Sequence, residues 1–101
     1  MTLENAQLVM KDTNNIFEEL GFDAEEAASL KIRADLILEI KKYIQARGWS
    51  SQEAADFFDE SKDNILYLIN GKMSKFTIDK LVNLLVRAGM EVKFEVGLKR
   101  K

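Results

Sequence analysis

The chain has 101 residues, 47% of them apolar, so it holds one domain with one modest core and is not disordered along its whole length. It contains no Cys and no His, which excludes a disulfide scaffold, zinc sites that need those ligands, thiol catalysis and His-based acid–base chemistry. Its formal net charge of −2, from 15 basic and 17 acidic side chains, taken alone argues against a simple polyanion binder.

Residues 1–15 are mixed and polar, and read as an arm with a short helix around Ala6 to Lys11. Ile16, Phe17 and Leu20 form an apolar turn that ends at Gly21. Asp23 is a suitable N-cap for a long helix, because its carboxylate can accept from an otherwise unbonded backbone N–H, and Glu25 and Glu26 suit the positive end of the helix dipole. That helix is expected from Ala24 to about Arg47. Leu30, Ala34, Ile37 and Ile44 recur there at helical spacing, and Gly48 supplies the stop.

Ser50 and Glu53 have the spacing of a capping box, and Trp49 is placed to staple onto Ala54. Ala54, Ala55, Phe57 and Phe58 support a short helix, which Asp59 and Glu60 interrupt. Ser61 caps another short helix from Lys62 to about Asn70, with Ile65, Leu68 and Ile69 apolar and Gly71 at its end. Lys72 to Phe76 form a basic loop. Thr77 caps a further helix whose inward stripe is Ile78, Leu81, Val82, Leu85 and Ala88, and Gly89 ends it. From Met90 the period becomes two: Met90, Val92, Phe94 and Val96 alternate with Glu91, Lys93 and Glu95, which predicts a half-buried strand. Lys99 to Lys101 form a basic tail. No window is long and apolar enough to span a membrane and no secretory leader is visible, so the expected location is cytoplasmic, away from membranes.

These elements divide the chain into a lead-in over residues 1–22, a helical domain over 23–89, and a strand with its tail over 90–101. The expected fold is mainly α. The informative unit is Trp49 to Gly71, where two short Ser-capped helices follow one another between two longer ones. That is the pattern of a helix-turn-helix: the first short helix braces the second, and the second offers an exposed face that fits the DNA major groove. On this reading Ser61, Asp63, Asn64 and Tyr67 face DNA, while Lys62, Lys72, Lys75 and Lys80 hold phosphates. Lys72 and Lys75 as ordinary solvated loop lysines is the competing explanation.

Charge is unevenly distributed along the chain. Residues 1–61 carry 6 basic and 13 acidic side chains, whereas residues 62–101 carry 9 basic and 4 acidic. The basic part begins where the proposed recognition helix begins. The acidic part suits a basic partner.

Taken in order, several stretches resemble the Xre-type, lambda-repressor-like helix-turn-helix family, and more narrowly its HigA-type antitoxins. They are Phe17-Glu18-Glu19-Leu20-Gly21-Phe22, the long helix ending Arg47-Gly48, Ser50 with Glu53-Ala54-Ala55, Ser61 with Ile65, Leu68 and Ile69, Asn70-Gly71-Lys72, and Phe76-Thr77 before a leucine-rich helix and a strand. The resemblance covers roughly Ile16 to Val96. It implies a lambda-repressor-like bundle that binds a palindromic operator as a homodimer. It also implies a partner, a RelE/HigB-like ribonuclease toxin, which the protein neutralises while repressing its own promoter. No cofactor or metal is expected, and the protein is expected not to be an enzyme.

The sequence departs from that family in two places. Asp59 and Glu60 occupy turn positions where the family usually has a Gly and an apolar residue. Lys62, Leu66 and Tyr67 stand where it often offers Gln, Ser and Arg to DNA. Two alternatives therefore stand beside the antitoxin: an interaction module of the same fold that has lost DNA recognition, and a phage-type repressor without a toxin. The C-terminal strand carries its own expectation. A lone strand leaves backbone donors and acceptors unpaired, and pairing with its symmetry mate gives a two-fold dimer suited to a palindrome. Packing singly on its own helices, or pairing with the N-terminal arm, are the other outcomes.

Overall fold

A computed structural model describes residues 16–98. It contains α1 (Ile16–Glu19), α2 (Ala24–Arg47), α3 (Ser51–Phe58), α4 (Lys62–Ile69), a 3-10 turn (Met73–Lys75) and α5 (Ile78–Arg87). The expected helix at Ala6 to Lys11 and the tail Lys99 to Lys101 lie outside the described residues.

Each helix from α2 onward starts on the cap its sequence specifies. Asp23, Ser50, Ser61 and Thr77 accept from the backbone N–H of Glu26, Glu53, Asn64 and Lys80 respectively. At Ser50 the exchange is reciprocal, since the Glu53 carboxylate accepts from the Ser50 N–H at 2.8 Å. The ends of α2 and α3 differ in one respect. Gly48 closes α2 in the left-handed region at φ 67°, and Trp49 N–H reaches back to the Ile44 carbonyl. Asp59 closes α3 in the same region at φ 54°, although it has a side chain, and Glu60 N–H reaches back to the Ala55 carbonyl. Asp is one of the few residues whose short polar side chain tolerates that conformation.

The core lies between the C-terminal half of α2 and the three helices that follow it. Leu36, Ile40, Phe58, Ile65, Leu68, Leu81, Leu84 and Leu85 are its largest fully buried members. Helix α2 packs most extensively on α5, and α3 packs on α4. The N-terminal half of α2 is more open, with Ala27 buried in its first turns, and is braced by α1. Arg33 links this half to the loop before α5 by donating to the Met73 carbonyl at 3.1 Å. No buried polar side-chain atom lacks a hydrogen-bond partner among the described residues.

The corner between α2 and α3 is aromatic. Trp49 stacks against Phe57 at 4.6 Å and meets Tyr43 and Phe58 edge-on. Arg47 covers the Tyr43 ring and donates to its hydroxyl at 2.7 Å. Phe58 is fully buried, whereas Phe57 remains 43% exposed.

The expected strand from Met90 to Val96 is corrected by the structure: no strand forms among the described residues. Met90 closes onto the end of α5 through its N–H to the Leu85 carbonyl, and Met90 and Val92 reach the core. Phe94 and Val96 then turn out to solvent, Val96 at 92% exposure. A strand needs a neighbour to satisfy its backbone groups, and no described segment forms a strand pairing with this one.

Candidate nucleic-acid interface

The segment from α3 to α4 builds the site. Asp59, Glu60 and Ser61 make the turn. Ile65 and Leu68 point inward, and Ile69 is half-buried beside them. The opposite stripe of α4 is therefore Asp63, Leu66, Tyr67 and Asn70, at spacings of three, four and seven. Asp63, Leu66 and Asn70 are exposed. Tyr67 is half-buried, with the Lys75 ammonium 4.9 Å from its ring centre. This is a cation–π geometry that orients the basic loop over the end of the helix.

Of the two acidic residues of the turn, Glu60 is engaged internally, while Asp59 is exposed. The Glu60 side chain is only 6% exposed and forms ion pairs with Lys80 and, at 3.7 Å, Arg87, both from α5. Asn64 donates to it at 3.1 Å. Arg87 also donates to the Phe58 carbonyl, so one guanidinium ties the end of α3 to the turn. Burial raises the Glu60 pKa, but the Lys80 and Asn64 hydrogen bonds and the charges of Lys80 and Arg87 outweigh it, and the carboxyl sits below its ordinary value. The carboxylate thus stays ionised and locks α3, α4 and α5 together.

This places the expected DNA-facing residues in different roles. Ser61 is exposed, but its hydroxyl oxygen caps α4. Asn64 has one amide N–H bound to Glu60. Lys62, Lys72 and Lys75 are exposed, and none is paired with a carboxylate among the described residues. Lys80, expected among the phosphate-holding cations, is instead bound to Glu60. Asn70 and Arg33 were not expected at the site. Asn70 was legible from its spacing to Asp63. Arg33 gave no signal, since its partner Met73 lies 40 residues away.

An open cleft of about 500 Å³ adjoins the basic loop, lined by Ser29 and Arg33 of α2, the stretch Ser74 to Thr77, and Ile78 and Asp79 of α5. Arg33 and Lys75 are its cations and Asp79 its anion. No group of His, Cys, Asp or Glu suited to a metal ion occurs among the described residues, and no helix of the described residues is long and apolar enough to cross a membrane.

Two short capped helices joined by a tight turn, the second with its outward face uncovered, define a helix-turn-helix domain, a DNA-binding fold. A family model for a helix-turn-helix domain matches residues 16–97, and the chain belongs to that family. It is a family of the lambda-repressor-like kind. Neither a curated protein nor a solved structure matches the chain.

Proposed function

We propose that the protein is a sequence-specific, DNA-binding transcriptional regulator that places α4 in the major groove. The observation that carries this reading is the uncovered outward face of α4, flanked by three lysines, Lys62, Lys72 and Lys75, that no carboxylate neutralises among the described residues. Such lysines hold phosphates and set the register of the helix on the duplex. Engagement of Glu60 by Lys80 and Arg87 supports it further, because it neutralises one of the two carboxylates of the turn, leaving Asp59 as the exposed one.

The protein acts as a homodimer on a palindromic operator, since a two-fold protein matches a two-fold site. It works in the cytoplasm as a binder rather than an enzyme. Within this reading it is the antitoxin of a type II pair, repressing its own promoter and neutralising a basic ribonuclease toxin. The acidic first part of the chain supports that partner by charge complementarity.

Mobility shifts on the protein's own upstream DNA test the operator role. Salt-sensitive binding is expected. Its absence, for the protein alone and together with the product of any adjacent gene for a small basic protein, overturns the role. No such neighbouring gene would favour a repressor without a toxin.

Asp63 and Leu66 on the outward face favour a second reading, a protein-interaction module of the same fold that has lost DNA recognition. Lys62→Ala combined with Lys72→Ala separates the two. Repression abolished in that double variant supports the regulator; an unchanged cellular effect supports the module.

A further inference from the structure

The outward stripe of α4 has an unusual chemical content for a helix that enters a groove. Helix α4 reads Lys-Asp-Asn-Ile-Leu-Tyr-Leu-Ile and contains no Arg. Arg is the side chain that most often reads guanine, through two parallel hydrogen bonds. Asn64 is bound to Glu60, and Tyr67 lies against Lys75. The uncovered groups are Asp63, Leu66 and Asn70, with Leu66 at 37% exposure in the middle of the stripe.

We propose that Leu66 is a specificity-determining residue that reads a thymine through its 5-methyl group, with Asp63 one turn earlier accepting from the exocyclic amine of a cytosine. This rests on the reading of α4 as the groove-facing helix. Thymine is the one base that offers an apolar group in the major groove, and a leucine has nothing but apolar surface to match it. An ionised Asp only accepts hydrogen bonds, and the cytosine amine is a donor on the same groove edge. At these two positions the operator half-site is therefore read through its pyrimidines.

The test begins with wild-type full-length chain selecting from a randomised double-stranded DNA library at low and moderate salt. The enriched duplex is resynthesised with each thymine in turn replaced by deoxyuridine, which removes only the methyl group. One thymine per half-site is expected whose replacement weakens wild-type binding about fourfold, the value of one buried methyl-sized group. Leu66→Ala is expected to bind parent and substituted duplex equally, with an unchanged salt slope and unchanged helix content by circular dichroism. Asp63→Asn is expected to move the preference at the neighbouring position from cytosine to adenine, which an amide reads with paired donor and acceptor.

If every deoxyuridine duplex binds as its parent does, or if Leu66→Ala keeps the full penalty, the Leu66 assignment is overturned while the DNA-binding reading survives. A cytosine preference unchanged in Asp63→Asn overturns the Asp63 part. If wild type enriches no duplex at either salt concentration, the DNA-binding reading fails and the assignment fails with it.

Discussion

Replacing Glu60 by Gln tests the central internal contact of the site. Glutamine keeps the size of the side chain and an oxygen that can accept from Asn64, but it removes the charge that holds Lys80 and Arg87. Breaking a fully buried ion pair from one side costs about 3–5 kcal/mol. Here only the carboxylate is buried; the Lys80 and Arg87 side chains are 38% and 46% exposed, and water can resolvate them once released. Screening of those cations discounts the pair, and a charge-assisted hydrogen bond contributes about 1.5–3 kcal/mol before that discount. The expected loss at pH 7 is therefore about 1–2 kcal/mol, or roughly 5–15 °C in melting temperature for a domain of this size.

Thermal and urea unfolding followed by circular dichroism, on wild type and Glu60→Gln across pH, read this out. The folded-state pKa of Glu60 is lowered, so its stabilisation is fully present above the unfolded-state value and disappears as pH falls through the folded-state value. The gap between wild type and variant should hold from pH 7 down to the ordinary carboxylate value near 4.5, then close below it. A gap that is absent at pH 7, or equal at all pH values, would refute the assignment of Glu60 as an ionised clamp. The same variant frees two cations beside the turn, so non-specific DNA affinity should rise while stability falls.

Other substitutions probe neighbouring positions. Asp59→Gly should raise stability by about 0.5 kcal/mol in urea unfolding, because glycine removes the cost of a side chain at positive φ but gives back part of that gain to unfolded-chain entropy. Gly48→Ala should do the reverse at the end of α2, by about 1 kcal/mol. Ser50→Ala removes one half of the capping box and should cost about 1 kcal/mol, with a drop in helix content. In DNA titrations across salt, each of Lys62→Ala, Lys72→Ala and Lys75→Ala should reduce the slope of log affinity against log salt by about one for each phosphate the lysine had neutralised.

The helix starts were legible because each depends on a side chain meeting a backbone N–H three residues away. Asp23, Ser50, Ser61 and Thr77 announce themselves in this local way. The outward stripe of α4 was legible for a related reason, since the positions of Ile65 and Leu68 fix the opposite face. Phe57 and Phe58 mark where local reasoning stops. Adjacent helical residues point roughly 100° apart, so the two rings leave α3 in different directions, and the packing of α3 on α4 buries Phe58 and leaves Phe57 partly exposed. Glu60 marks the same limit more sharply. As a sequence feature it is an acidic residue beside another in a turn, and nothing nearby announces partners on α5. The alternation from Met90 to Val96 was a true pattern with an incomplete consequence, because a period of two orients side chains but cannot supply the neighbour a strand must pair with.

Charge is the property whose meaning changes most between sequence and fold. In the sequence, the 9 basic residues after position 61 begin where the proposed recognition helix begins. Lys80 and Arg87 are bound to Glu60, and Lys93 pairs with Glu91 at 3.0 Å. Around the exposed face of α4, the cations that no carboxylate holds among the described residues are Lys62, Lys72 and Lys75, at the start of the helix and along the loop that follows it. A small set of cations at one edge is the arrangement that positions a helix without swamping what its face reads. Phosphate contacts carry no sequence information, and too many of them hold a protein to any duplex. On the proposed reading, withdrawing Lys80 and Arg87 into the clamp leaves discrimination to Asp63 and Leu66, and it does so with the same interactions that fix α4 against α3 and α5. Net charge therefore does not decide whether such a domain meets DNA; the decision rests on which cations the fold leaves uncommitted beside the exposed helix face.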